Sequence, residues 1–580
     1  MVRHGLVTLQ AALSAERPRR SLVAGSLAIA VLYCLWFFDW DFLKGISPFW
    51  SYPIGTVPAS YGDLITALSG YWAFVQDDWT LPLFSVRKLG IPHGTNIIFT
   101  DSIPCVALLG RLVFRATGHL VNLYGAWTAL CVALLPASLT ALCYTLGARS
   151  IAAALAATLI GLSMPPFWFR WGHLSLMAHF EFVLALLLYF STRQKMHPGR
   201  FLAAACALML LSLWTHSYIF LMVSGVITAT IGQRWSDGHI RLRGAAGLLA
   251  AIAVVAIGGV ALSGHLSGSG SLSGEGFGYY SMDVLSPVIP QMSGLLALAR
   301  DRLFVGAGGQ YEGYNYLGAG ALLLFAIMAM TYARRGEMAT AWRRTAWLIG
   351  LLAVYFLLAV SNEVYIGGVK VVSLPLPRAL MGLLEIVRSS GRFFWPVLYM
   401  LVAAAIARCA TRRPPEAVVL LLAASALQWV DVAPLRLAMA QSIAAKPSPP
   451  LALDAWGPLI ADHKAVIVLP SFACLVEGDD WNKAAAVELQ LLAAKGGVGI
   501  NSVYAGRYWK DCQAERANIR LAPVEEDKLL VYLNEFPDFN QFGESARELK
   551  YPCVSSARLL TCSSTGLDVS LLQEGGGNGL

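Results

Sequence analysis

The chain has 580 residues, of which 57% are hydrophobic and 13% charged, and its mean hydropathy is +0.59. Such a composition excludes a disordered scaffold and an ordinary soluble domain, and it defines a polytopic α-helical membrane protein. The net charge of +8 would suggest nucleic acid only if it formed a patch, but the basic residues are spread through short connections between apolar runs, so no nucleic-acid partner is expected.

Residues 1–20 carry Arg3, Arg17, Arg19 and Arg20 ahead of a first apolar run, 21–38, which ends in Phe37-Phe38-Asp39-Trp40-Asp41 with no small-residue cleavage site. That pattern predicts an uncleaved anchor. The positive-inside bias then places the N-terminus in the cytoplasm and the next segment outside. This outer segment, 39–120, holds Asp39, Asp41, Asp63, Asp77, Asp78 and Asp101 among aromatic residues and prolines. Carboxylates beside a bilayer are costly to maintain, which makes the segment a candidate for chemistry.

Asp63 precedes a stretch, 64–74, whose pattern suits an amphipathic helix lying on the membrane. Its carboxylate has two readings, a helix cap or a general base where a headgroup meets water. Asp101, in Phe99-Thr100-Asp101-Ser102-Ile103-Pro104, carries the same two readings, whereas Asp39, Asp41, Asp77 and Asp78 read as interfacial or solvated groups. The run 102–117 is short and is interrupted by Arg111 and Arg115, so it predicts a juxtamembrane helix on the outer face.

Later apolar runs are expected at 121–146, 150–166, 175–192, 201–215, 217–233, 243–263, 316–333, 345–361, 393–409 and 416–432. Together with the first they make about eleven spans. Their inner connections carry Arg149; Arg193, Lys195 and Arg200; Arg234, Arg241 and Arg243; Arg334, Arg335, Arg343 and Arg344; and Arg408, Arg412 and Arg413. Between 201 and 231, two short helices meeting at Thr215-His216-Ser217-Tyr218 compete with one long kinked helix. His216 there reads as a hydrogen-bonded structural group.

Three more outer segments follow: 165–174, 264–315 and 361–392. The first contains Arg170 and His173, and the last contains Arg388 and Arg392. Arginine at an outer boundary opposes the inside bias, and it serves either to bind phosphate in a fork geometry or to snorkel to headgroups. The segment 264–315 opens with a Gly/Ser stretch, 264–278, that reads as a lid or a linker, and it closes on Gln310-Tyr311-Glu312-Gly313-Tyr314-Asn315-Tyr316. Its aromatics suit an interfacial belt or sugar stacking.

The composition becomes that of a soluble domain near residue 433. Strands are expected at 465–469, 497–501 and 528–533 and a helix at 483–494, giving an extracytoplasmic α/β domain over 433–572 and a disordered tail at 573–580. Cys474, Cys512, Cys553 and Cys562 all lie there, an even number that predicts two disulfides among three connectivities, with Cys474–Cys512 and Cys553–Cys562 preferred. No P-loop, dinucleotide fingerprint, nucleophile elbow or paired-cysteine zinc spacing is present in the sequence, and a divalent metal held by outer carboxylates is neither demanded nor excluded.

The strings Gly62-Asp63, Phe99-Thr100-Asp101-Ser102-Ile103-Pro104, Gly172-His173, Gln310-Tyr311-Glu312-Gly313 and Arg388-Ser389-Ser390-Gly391-Arg392, set in this layout, resemble a bacterial multi-pass family grouped near the GT-C superfamily of membrane glycosyltransferases. Aminoarabinose transferases and protein O-mannosyltransferases belong to that superfamily. The side-by-side acidic pair of several members is absent at Gly62-Asp63. The resemblance implies a multi-pass enzyme of the bacterial plasma membrane that moves a sugar from a polyprenyl-phosphate donor to an outer glycan or lipid acceptor. It implies Asp63, then Asp101, as base; Arg170, His173, Arg388 and Arg392 at the donor phosphate; and Trp79, Glu312, Tyr314 and Trp395 lining the sugar and prenyl sites. A transporter or flippase of lipid-linked saccharide and a non-catalytic envelope assembly protein are the rival readings; mid-span charges such as Glu181 would favour the transporter.

Overall fold

The structure, a computed structural model, describes residues 10–53, 62–191, 196–267, 276–296, 306–335, 345–446, 448–476, 480–508, 510–519, 527–535, 539, 552–563 and 567. Most of the Gly/Ser stretch 264–278, the tail 573–580, Arg193, Lys195, Arg343 and Arg344 lie outside the described residues. The chain is mostly helical and divides into two compact units. The first comprises 1–43, 125–259 and 272–441, and the second comprises 44–124, 260–271 and 442–580.

A helix stands at each of the expected apolar runs: Arg19–Phe37, Tyr124–Thr145, Ile151–Gly161, Phe180–Ser191, Pro198–Leu213, Ser217–Ser236, Leu242–Ser263, Ala319–Arg335, Ala346–Val360, Trp395–Ala410 and Pro414–Asp431. Fewer than eleven have the length and composition to cross a membrane. Six stretches do so among the described residues, namely Arg19–Phe37, Tyr124–Thr145, Ile151–Phe169, Leu174–Ser191, Leu242–Ser263 and Ser390–Ala410, and the bent pair Pro414–Asp431 with Ala433–Ala444 would make a seventh. Pro198–Leu213, Ala319–Tyr332 and Ala346–Val360 are apolar but shorter. On Leu242–Ser263, Val254 and Ile257 are 71% and 70% exposed, an uncovered apolar face that water penalises and hydrocarbon accepts.

Inside the first unit, polar side chains appear where helix ends need partners. The N-terminus of Ala319–Arg335 is satisfied by another helix: Ala319 N donates to Asp431 Oδ2 at 2.8 Å and Ala321 N to Gln428 Oε1 at 3.0 Å. The 201–231 stretch is two helices, and His216 caps the second by accepting from Tyr218 N at 3.1 Å.

Two hairpins precede the main sheet: β1 (Ser85–Val86) with β2 (Thr95–Asn96), and, in the first unit, β3 (Glu363–Ile366) with β4 (Val369–Ser373). The main sheet, in the second unit, contains β5 (Ala465–Leu469), β6 (Gly499–Ile500), β7 (Lys528–Leu533), β8 (Cys553–Ser555) and β9 (Leu559–Ser563) in the order β6-β5-β7-β9-β8. β5 pairs in parallel with β6 and β7, while β9 is antiparallel to β7 and β8. Disulfides join Cys474 to Cys512 and Cys553 to Cys562, the preferred connectivity.

Lys44–Tyr124 folds with this sheet as part of the same unit, and that changes the expectation for Asp63–Gln76. Every residue of that helix from Leu64 to Val75 is buried, and it packs on helix Asp480–Gly496, so it is a core element and not a helix lying on a membrane. Its polar groups face protein: Thr66 Oγ1 donates to Tyr504 O at 2.7 Å, Gln490 Nε2 to Thr66 Oγ1 at 2.8 Å, and Gln76 Nε2 to Ala494 O at 2.9 Å. Leu89 adds a parallel bridge to Ile500 at the β6 edge.

Glu488, on helix Asp480–Gly496, is fully buried; one oxygen accepts from Leu451 N at 3.0 Å and Oε1 has no partner. Burial pushes its carboxyl up to about 9, with the Leu451 hydrogen bond opposing, so it holds its proton at neutral pH. Because this lies above the unfolded value of about 4.3, folding stability falls as pH rises from the unfolded value through the folded one. Glu488→Gln should therefore flatten the decline in melting temperature of the purified protein between about pH 6 and pH 9. An unchanged slope would contradict the assignment.

Candidate functional site

Three of the segments singled out in the sequence, around residues 170, 312 and 392, meet in the first unit. Glu312 is 3% exposed and lies in the short helical turn Gln310–Gly313. Its Oε2 accepts from Arg170 Nη1 at 2.7 Å and from Arg392 Nε at 2.8 Å, and its Oε1 accepts from Arg392 Nη2 at 2.8 Å. Arg170 Nη2 also donates to the Glu312 carbonyl at 2.8 Å. One carboxylate thus joins two guanidiniums, one of them in a two-pronged fork.

The backbone makes room for this arrangement. A Cβ on Gly391 would lie 2.5 Å from Gly313 Cα, and a Cβ on Gly313 would lie 2.3 Å from Ser281 O, so only glycine fits at either position. Asn315 Nδ2 ties the two strings together by donating to Gly313 O at 3.1 Å and Gly391 O at 2.9 Å. Tyr218 completes the wall: its hydroxyl accepts from Ser389 N at 2.8 Å, and the Arg392 guanidinium lies 4.8 Å over its ring.

Burial alone would push the Glu312 carboxyl up, but Arg170 and Arg392 outweigh it, with His173 adding to them, and the group is held well below the usual carboxylate range. Its stabilising effect is therefore present above the unfolded value and is lost only as pH falls through the depressed folded one.

The expected donor ligands separate into two kinds. Arg170 and Arg392 are buried and neutralised by Glu312, so they hold the loops together in place of meeting an incoming phosphate. Arg388 is exposed; its guanidinium lies 5.8 Å over the Tyr280 ring, and no carboxylate pairs with it among the described residues. His173 is half-buried beside Glu312.

Three expected sugar-lining groups are packed. Glu312 is committed to the ion cluster; Tyr314 is 1% exposed with its ring 4.6 Å from that of Phe169; Trp395 is 0% exposed, 4.6 Å from the His179 ring and 5.6 Å from the Arg170 guanidinium. None of the three presents surface to a ligand.

Asp63, Asp101 and Trp79 belong to the second unit. Asp63 begins helix Asp63–Gln76, is half-buried, and accepts from Tyr504 Oη at 2.9 Å. Tyr504 is a partner that no local pattern signals, since it stands 441 residues away. Asp101 is half-buried and left-handed, with φ 53, a conformation that aspartate tolerates better than most residues. Its neighbours fix the turn: Ser102 Oγ donates to Ala67 O at 2.6 Å, and a Cβ on Gly70 would lie 2.1 Å from Thr100 Oγ1. Trp79 is 50% exposed, with the Arg111 guanidinium 4.7 Å over its ring.

Two of the aspartates read as solvated differ in fate. Asp78 is exposed and pairs with Arg87 and Arg115, as a solvated group would. Asp77 is instead 2% exposed and accepts from Arg87 N at 2.7 Å, because the chain turns there beneath the guanidiniums. Among the described residues no group of three or more His, Cys, Asp or Glu side chains is arranged to hold a metal ion.

These features define the class: a helical protein with helices of membrane-spanning length and a disulfide-bonded α/β segment. Residues 27–433 match the model of a domain of unknown function, DUF6311, and residues 455–555 match the DUF6311 C-terminal domain. The chain belongs to the DUF6311 family. No curated protein matches it.

Removing the central carboxylate should leave two buried guanidiniums without a counter-charge. Glu312→Gln is expected to destabilise the protein by about 3–5 kcal/mol, read as thermal unfolding of detergent-solubilised protein. A loss below about 1 kcal/mol would show that the cluster does not hold these loops together.

Proposed function

We propose that this chain is a GT-C-type membrane glycosyltransferase using a polyprenyl-phosphate-linked sugar. In this reading about eleven helices span the bacterial plasma membrane, the shorter apolar ones beside the six or seven of full span length, the N-terminus is cytoplasmic, and the α/β segment is periplasmic, where its disulfides persist. The observation that carries the reading is the first-unit cluster, in which Glu312, Arg170 and Arg392 join two of the strings named by the resemblance, 310–313 and 388–392, to the segment 165–174 and leave Arg388 exposed without a carboxylate partner among the described residues.

The chemistry divides among these residues. The acceptor hydroxyl attacks the anomeric carbon, the bond from that carbon to the phosphate oxygen breaks, and the lipid phosphate departs with the electron pair. Arg388, with His173, meets the departing phosphate, while Arg170 and Arg392 act as positioning residues. By the resemblance alone, Asp63, with Asp101 second, is the base that takes the hydroxyl proton. Tyr504, by donating to Asp63, fixes the carboxylate's orientation. The acceptor is a glycan or lipid, and no residue is assigned to a metal.

The transporter reading rests on one observation, the fully buried Glu181, whose Oε2 has no partner. Yet Glu181 lies in the first turn of Phe180–Ser191 and its Oε1 accepts from Thr215 Oγ1 at 2.9 Å, next to the break between two helices. That hydrogen bond to Thr215 gives Glu181 a structural role at the helix start without a transport pathway.

Transfer from a polyprenyl-phosphate sugar, assayed with purified protein in liposomes, tests the assignment. Asp63→Asn and Arg388→Ala should each leave melting and membrane insertion unchanged while lowering turnover at least about 100-fold. Full activity in Asp63→Asn would remove it as base, and full activity in Glu181→Gln is expected.

A further inference from the structure

A cleft of about 1040 Å³ lies wholly within the second unit, between the β1–β2 hairpin region and the sheet segment. Four cationic side chains line it, Arg87, Arg507, Lys510 and Lys528, against one carboxylate, Asp511. Arg87 pairs with Asp77 and Asp78, and Lys510 pairs with Glu515.

Arg507 differs from them. It is half-buried, lies 5.6 Å over the Phe99 ring, and donates one hydrogen bond, to His265 O at 3.2 Å; no carboxylate pairs with it among the described residues. Its neighbour offers no charge in return. His265 has both ring nitrogens enclosed without a hydrogen-bond partner, and burial together with Arg507 pushes its pKa down to about 4, so the ring is neutral. A partly desolvated guanidinium with no counter-ion gains from an incoming anion far more than a surface lysine does.

We propose that this cleft binds an acidic saccharide, with Arg507 pairing to its carboxylate or phosphate. The space exceeds what a bare inorganic ion needs and falls in the range of organic ligand sites. Its walls suit sugar: Phe99 and Tyr508 supply aromatic surface, and Thr95, Ser267 and His93 add hydroxyl and imidazole groups to the lining. The site does not depend on the transferase reading, since a non-catalytic glycan-binding protein would use it equally.

The test is equilibrium binding to the full-length protein in detergent, with trigalacturonate as a carboxylate probe, glucose 6-phosphate as a phosphate probe, and maltotriose as a neutral one. At least one acidic probe should bind about tenfold or more tightly than maltotriose, and Arg507→Gln should remove that preference. Ser267→Trp, at an exposed position in the cleft lining, should fill the cleft and weaken the same probe, which keeps the test decisive if Arg507→Gln does not fold. Comparable binding of maltotriose, unchanged affinity in either folded variant, or no binding of any probe would overturn the proposal. The two acidic probes distinguish a carboxylate-bearing from a phosphate-bearing saccharide.

Discussion

The first unit depends on a carboxylate that has been taken out of water. Glu312 can stay ionised there only because Arg170 and Arg392 approach it from two other segments of the chain. Each arginine alone would be as costly as the acid alone, and the three together satisfy most of one another's hydrogen bonds. This makes the cluster a constraint on chain path: residues 170, 312 and 392 must meet, and the glycines at 313 and 391 let two backbones come close enough for it.

A different economy governs the second unit. Its helix Asp63–Gln76 is apolar on nearly every face, which suits a fully buried helix, and helix Asp480–Gly496 with the turn at Tyr504 covers it. The few polar groups on it, Thr66 and Gln76, are met by backbone or side chains of the C-terminal segment. Asp63 therefore stands at the end of a rigid element, and Tyr504 holds its carboxylate in one direction. A helix surrounded by bilayer would give it no such partner.

Much of this was legible locally. Helices follow from apolar runs, strands β5 and β7 from apolar segments bounded by turn residues, and the disulfides from an even cysteine count within one polar segment. Span number was less legible, because apolar length is graded and Pro198–Leu213 or Ala346–Val360 can form short helices without meeting the length of a bilayer. The surroundings of Asp63 were hidden for another reason. Its partner, Tyr504, is set by tertiary packing, and a helix lying on a lipid surface and one buried in a domain present similar apolar patterns. The same holds for Tyr314 and Trp395, aromatic residues whose sequence context fits a sugar platform and whose packing makes them core.

Charge balance separates the arginines better than sequence position does. Arg170 and Arg392 stand at the boundaries where phosphate ligands were expected, yet Glu312 has consumed their charge; Arg388, four residues before Arg392, keeps its own among the described residues. In the second unit Arg87 is likewise matched by aspartates while Arg507 is not. A guanidinium paired inside the fold contributes shape, and one left with only an aromatic face and a carbonyl contributes affinity for an anion. Both units thus devote part of their arginine to fixing loops and leave one guanidinium with its charge unspent, and it is those two residues, more than the clustered ones, that bear on what the protein recognises.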